Sequence, residues 1–71
     1  MNVDGVRIFV DEKDFSEREV KYYVELAKSR LSESETLTEL YIHNYGDKVE
    51  LTLVGVFEKT GHFVRPTFAG A

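Results

Sequence analysis

The side chains best suited to chemistry are two histidines and a nearby glutamate. His43 and Glu50 face each other across a predicted hairpin, and His62 lies further along the chain. Two imidazoles and one carboxylate are a familiar metal-binding set. To complete it, His62 would have to fold back onto the hairpin, and nothing in its spacing provides for that. We therefore predict no metal site and interpret His43 and Glu50 as a surface pair.

No other catalytic arrangement is evident in the sequence. Cysteine is absent, which excludes disulfides and thiolate metal ligands. No nucleophile and base, and no pair of carboxylates, occur at a recognisable spacing. The glycines form no phosphate-binding pattern: Gly46 and Gly61 are expected in turns, and Gly55 at a bulge or a close backbone approach. The sequence thus predicts a protein that is not an enzyme and needs no cofactor.

Negative charge is concentrated in one segment of the chain. The 71 residues carry a net charge of −4. Residues 11–39 contain nine acidic and five basic side chains, whereas the rest of the chain is neutral overall. An acidic balance does not suit a surface that must neutralise phosphates. Within this segment, Glu33, Glu35 and Glu39 form a candidate acidic patch.

The first half of the chain predicts a strand followed by a helix. Residues 6–10 are β-branched or aromatic apart from Arg7, and charged residues follow them, which indicates a strand. Ser16 and Glu19 fit a capping box, with Phe15 and Val20 as the hydrophobic staple. The helix should therefore begin at Ser16, and its apolar stripe should pack on a sheet.

The second half predicts a hairpin and a short last strand. The stretch YIHNYGDKVELTL, residues 41–53, alternates around a turn at Gly46 and Asp47. If Tyr45 pairs with Lys48, the core face of this hairpin carries five apolar residues: Leu40, Ile42, Val49, Leu51 and Leu53. A slip of one residue would exchange the two faces. A turn at 58–61 and a strand at 62–65 should follow. That strand should end at Pro66 or lie at an edge, because proline has no N–H, and residues 67–71 are expected to fray.

These elements predict one α+β domain that spans residues 1–71. Its order is β-α-β-β-(β), with one helix packed on one face of a three- to four-stranded, mainly antiparallel sheet. The strand at 48–57 is the most apolar, so we expect it between the first and second strands; a meander in sequence order is the alternative. Many unrelated domains share this order of elements, and no residue motif assigns the chain to a family.

A single helix leaves the other face of the sheet uncovered. That face is expected to carry Arg7, Phe9, Tyr41, His43, Tyr45 and Val54, with Val56 as a further candidate. Exposed apolar surface often marks an interaction site. Aromatic pairs between strands also stabilise a solvated sheet, which is the alternative interpretation of the same residues.

The expected function is that of a small acidic protein-binding module that occludes a partner's surface, like an inhibitor or accessory protein of a phage or mobile element. Its acidic helix and loop could mimic nucleic acid in a partner's basic groove, while the sheet face pairs two copies. One alternative is a single-stranded nucleic-acid binder that stacks bases on the open sheet face. Another is a structural homo-oligomer. No apolar run approaches the ~20 residues that span a bilayer, and no signal peptide is evident, so a cytoplasmic location is expected.

Overall fold

The computed structural model describes residues 1–12 and 14–69, which form one α+β domain. The predicted α+β class is confirmed. In chain order, the elements are β1 (Asn2–Val3), β2 (Val6–Glu12), α1 (Glu17–Ser29), β3 (Glu35–Asn44), β4 (Val49–Phe57) and β5 (Gly61–Ala69). None of the described residues belongs to a helix with the length and apolar character needed to cross a membrane.

The five strands lie in sequence order in one mixed sheet. β2 and β3 are parallel, and the three other neighbouring pairs are antiparallel. The prediction that the strand at 48–57 lies between the first two strands is therefore wrong. The alternative, an order that follows the sequence, is confirmed, although the parallel pair β2–β3 means that the sheet is not a simple meander. The reason is that β1 and β3 occupy both edges of β2, so β4 can pair only beyond β3. The predicted count of three to four strands is also too low.

The strand missing from the prediction is β1, which forms a hairpin with β2. Val3 pairs with Val6 across a two-residue turn. Both turn residues have positive φ, 51° at Asp4 and 81° at Gly5, as a type I′ turn requires. An Asp-Gly pair between apolar residues is a strong hairpin signal. The strand could thus have been found from the sequence, despite its length of only two residues.

The helix begins as predicted. Ser16 is the N-cap, and both halves of the capping box with Glu19 are formed. Val20, Val24 and Ala27 are fully buried against the sheet. Phe15 packs against the same core, with its ring 5.0 Å from that of Tyr23. The apolar stripe of α1 therefore covers one face of the sheet, hereafter the core face.

The register of the β3–β4 hairpin is the predicted one. Leu40 pairs with Leu53, and Ile42 pairs with Leu51; all four side chains are fully buried. The hairpin closes with a hydrogen bond of 3.0 Å from the Tyr45 N–H to the Lys48 carbonyl oxygen. The two tyrosines and the histidine of β3 and its turn consequently belong to the face that the helix does not cover.

A β-bulge interrupts β3 opposite Gly55. Leu37 pairs with Gly55 and Glu39 pairs with Val54, so Thr38 is the extra residue. The Thr38 hydroxyl donates to the Val54 carbonyl oxygen at 3.2 Å. The close backbone approach predicted at Gly55 is confirmed, since a Cβ there would lie 2.1 Å from the Thr36 carbonyl oxygen. The bulge reverses the side-chain alternation of β3, so Leu37 and Leu40 both reach the core face.

The last strand is longer than predicted and forms an edge of the sheet. Among the described strands, β5 pairs only with β4, so Pro66 is accommodated at an edge, as one of the two predicted alternatives required. Residues 67–69, for which fraying was expected, continue the strand and pair with residues 49–51. Gly70 and Ala71 lie outside the described residues.

Candidate protein-interaction face

The uncovered face of the sheet, here called the open face, presents three rows of side chains. The register aligns residues of β2, β3, β4 and β5 that alternate with buried core residues. The outer row is Arg7, Glu39, Val54 and Val64; the middle row is Phe9, Tyr41, Thr52 and Pro66; the inner row is Asp11, His43, Glu50 and Phe68.

The structure places the predicted open-face residues together. Arg7, Phe9, Tyr41, His43 and Val54 all belong to the three rows. Tyr45 follows directly after β3, with its ring 6.4 Å from that of His43 and nearly parallel to it. Val56 extends the face by one more position, opposite His62 of β5.

The middle of the face is aromatic. The parallel register sets Phe9 beside Tyr41, and their rings stack with centroids 4.8 Å apart and planes 14° apart. Phe9 nevertheless remains 45% exposed. A stacked pair of this kind is worth about 0.5–1.5 kcal/mol beyond area burial, so it stabilises this part of the sheet and still leaves part of the Phe9 ring exposed.

The β5 side of the face is the most exposed apolar part, and the sequence did not predict it. Val64 is 68% exposed and Phe68 is 59% exposed, and Pro66 lies between them. Val64 and Phe68 pair with Val54 and Glu50 of β4, respectively. Side chains at residues 62–68 alternate around the buried Phe63, and this alternation would have placed Val64 and Phe68 on the open face. The predicted strand stopped at Pro66 and therefore excluded Phe68.

Four polar side chains of the open face contact one another as two pairs within the chain. The Arg7 guanidinium donates to the Glu39 carboxylate in the outer row. In the inner row, the Nδ1 atom of His43 lies 2.8 Å from Oδ1 of Asp11. His43 was predicted to pair with Glu50. Glu50 does face it from β4, but the hydrogen-bond partner is Asp11 on the other side, in β2.

The three carboxylates of the predicted acidic patch have different surroundings. Glu33 is exposed in the segment between α1 and β3. Glu35 is ion-paired with Arg65 and its side chain is only 4% exposed, whereas Glu39 pairs with Arg7 on the open face. The bulge at Thr38 sends Glu35 and Glu39 to opposite faces of the sheet. They therefore do not form one continuous acidic surface.

The ion pair of Glu35 makes acid stability depend on this residue. The Arg65 guanidinium, followed by the backbone N–H of Ser32, lowers the pKa of Glu35 below its ordinary value of 4.5. The pair thus contributes stability above pH 4.5, which is lost as the pH falls through the lowered pKa. We expect Glu35→Gln to remove this contribution, so that the urea midpoint falls at pH 7 and changes less between about pH 5 and about pH 2.5 than in the wild type.

The matched control is Glu33→Gln, at an exposed position in the same segment. Urea titrations at several pH values measure both variants. If Glu35→Gln retained the acid sensitivity of the wild type, the ion pair would not be its source.

The described part of the chain contains no group of three histidine, aspartate or glutamate side chains that could hold a metal ion. His43 lies in the inner row, and His62 lies six positions before Phe68, the inner-row residue of β5. The strand therefore separates the two imidazoles by most of its length.

Away from the open face, a depression of about 450 Å³ lies between the end of α1 and the start of β3, with Asp4, Lys28 and Glu33 on its wall.

Comparison with known proteins identifies no relative. No family model matches the chain, and no curated protein or solved structure matches it. We therefore infer its function from the geometry of the open face.

Proposed function

We propose that this chain is a protein-binding module that acts by occluding a partner's surface, and that the open face is its contact surface. The observation that supports this is a set of exposed apolar and aromatic side chains, Phe9, Val64 and Phe68, on a sheet face that none of the described elements covers. Sheets usually bury such a face against a second layer. A partner protein would supply that layer.

The paired charges also suit a protein contact. Charged groups that already have partners need fewer new ones when water is removed, so the cost of desolvation is smaller than for bare charges. Arg7 with Glu39 and Asp11 with His43 are arranged in this way at the two sides of the aromatic middle row. An apolar centre with a polar surround is the usual composition of a protein interface.

Nucleic-acid binding is the alternative function, and the charges of the face do not favour it. Phe9 and Tyr41 could serve as stacking platforms. Among the described open-face residues, however, the only lysine or arginine besides Arg7 is Lys48, whose Nζ atom lies 5.3 Å from the centre of the Tyr45 ring. A groove that follows a nucleic-acid backbone requires many more unpaired cations.

Affinity capture with matched variants tests the proposal. The double variant Val64→Glu/Phe68→Glu places charge on the open face, and Tyr22→Glu serves as control because Tyr22 is equally exposed, at 62%, on the helix side. We expect the wild type and Tyr22→Glu to retain the same protein from a lysate of the source cells or from a pool of tagged copies of the chain. The open-face variant should retain at least about tenfold less, since each charge must be desolvated in the contact.

The result that would contradict the proposal is retention by the open-face variant equal to that of the wild type. Circular dichroism and urea midpoints of the three proteins establish that folding is unchanged. Filter binding with mixed-sequence single-stranded RNA and DNA at low salt tests the alternative. Retention of nucleic acid that Phe9→Ala abolishes would favour the alternative over the protein contact.

A further inference from the structure

We propose that the partner that covers the open face is a second copy of this chain, bound face to face. This inference rests on the proposed function and specifies the partner. Two such domains would form a four-layer arrangement of helix, sheet, sheet and helix. Stacked sheets pack about 10 Å apart, with strand directions within about 30° of each other.

The dimensions of the domain allow an interface of the size that a stable dimer needs. The domain measures 36 × 22 × 17 Å, so its broadest side offers at most the ~800 Å² that each partner buries in an interface of standard size. A second copy offers a surface of the same size, so neither open face would leave a large apolar margin in water.

The charge of the face permits self-association. The whole chain carries −4, which would repel a second copy. On the open face, however, two cations, Arg7 and Lys48, stand beside three carboxylates, Asp11, Glu39 and Glu50. The face is thus almost neutral, and most of the net charge stays away from the contact when two open faces meet.

The order of the three rows fixes the orientation of the dimer. A two-fold axis along the middle row would superpose the outer row of one copy on the inner row of the other. Arg7 would then face Asp11 of the second copy, and Glu39 would face His43 of the second copy. Because a two-fold interface repeats every contact, these two pairings would each occur twice.

The same axis also brings apolar groups together, apart from Val54, which would meet Glu50 of the other copy. Phe9 and Tyr41 lie in the middle row, so each would meet its own equivalent near the axis. Val64 of one copy would meet Phe68 of the other. Rings at the centre of an interface, fully removed from water, are typical of binding hot spots.

The two edges of the sheet make the alternative, edge-to-edge pairing, unfavourable. At one edge, β1 is only two residues long and pairs with residues 6–7 of β2, so a new strand would meet a stepped edge formed partly by β1 and partly by β2. β5 contains Pro66, which cannot donate to a new ladder. A second copy can therefore form only a short or incomplete hydrogen-bond ladder at either edge, whereas it can contact the open face over its whole width.

Charge reversal at Arg7 and Asp11 tests the orientation and the partner together. Arg7→Asp would place two carboxylates in each contact, and Asp11→Arg would place two guanidinium groups there. We expect either variant alone to dissociate about 100-fold more readily, at about tenfold for each of the two repeated contacts. An equimolar mixture of the two should dimerise again. In the mixed dimer, the new carboxylate at position 7 of one copy faces the new guanidinium at position 11 of the other. In the second contact, the native Asp11 of the first copy faces the native Arg7 of the second.

Sedimentation equilibrium of the wild type, both variants and their mixture, over a wide range of concentration, gives the dissociation constants. The controls are Lys21→Asp and Glu25→Arg, which make the same kinds of charge reversal at exposed positions of α1 and should dimerise like the wild type. Circular dichroism shows whether each variant folds.

Three results would overturn this inference: a wild type that is monomeric throughout, single variants that dimerise like the wild type, and a mixture that does not recover. None of these results tests whether the open face binds a different protein, which is the proposed function. Capture of a different protein that depends on Val64 and Phe68 would leave the open face as the binding surface, with another occupant.

Discussion

Replacing Gly55 by alanine is expected to destabilise the protein by about 3 kcal/mol, the upper end of what overpacking usually costs. A Cβ at this position would lie 2.1 Å from the Thr36 carbonyl oxygen and 2.7 Å from two ring atoms of Phe63. The Phe63 ring could rotate, but the Thr36 oxygen is a backbone atom and belongs to the strand with the bulge. Relief therefore requires β3 and β4 to separate locally, which breaks their ladder.

Urea unfolding followed by circular dichroism measures the effect. The control is Lys21→Ala, a change at an exposed position of α1, which should cost less than about 0.5 kcal/mol. A stability of Gly55→Ala within about 0.5 kcal/mol of the wild type would show that β3 and β4 are not in close contact at this point.

Leu51→Ala is expected to cost about 3 kcal/mol, whereas Thr52→Ala, one residue later, should cost less than about 1 kcal/mol. Leu51 is fully buried opposite Ile42, so truncation leaves a cavity between the sheet and α1. Thr52 lies opposite Tyr41 on the open face, where water can replace the lost atoms.

The same unfolding measurement decides which face of β4 meets the helix. Equal losses from the two substitutions, or a larger loss from Thr52→Ala, would mean that the hairpin is shifted by one residue. In that case, the aromatic residues assigned to the open face would belong to the core.

The parts of the fold that the sequence predicted well are those in which local signals agree. Gly46 provides positive φ for the turn, and the pairing of Ile42 with Leu51 then follows from alternation alone. The capping box of Ser16 and Glu19 sets the start of the helix independently of any tertiary contact. In both places, neighbouring residues carry all the information that is needed.

The parts that were mispredicted depend on contacts between distant segments or on an element too short to show a period. The order of the strands follows from β1 occupying the outer edge of β2, and β1 itself is two residues long. The apolar character of β4 predicts a place between the first and second strands. Burial by α1 on one face and pairing with β3 and β5 explain the same composition.

The bulge shows how one residue alters a predicted site. Leu37 and Leu40 are three positions apart, and both are buried, which a regular strand does not allow. This spacing was visible in the sequence and indicates an extra residue. In a regular strand Glu35 and Glu39 would share one face, whereas the bulge places them on opposite faces of the sheet.

The sequence predicted only the part of the open face that β2, β3 and β4 form. Phe9 and Tyr41 followed from alternation and register, but Val64 and Phe68 required β5 to continue through Pro66. At an edge, a proline whose nitrogen faces away from the neighbouring strand costs the sheet no hydrogen bond, so the strand need not end there. Whether a residue lies at an edge depends on the whole topology, which the local sequence does not contain.

Hydroxyl-radical footprinting tests most directly whether the open face is the binding surface. The oxidation of each side chain is compared between the dilute chain and the complex, whether that complex is with the captured protein or with a second copy. Phe9 and Phe68 are the reporters on the open face, and Tyr22 is the reporter on the helix side; all three are exposed in the isolated chain. We predict that oxidation of Phe9 and Phe68 falls several-fold in the complex while that of Tyr22 is unchanged. Protection of Tyr22 with unaltered oxidation of Phe9 and Phe68 would contradict this and would place the contact on the helix.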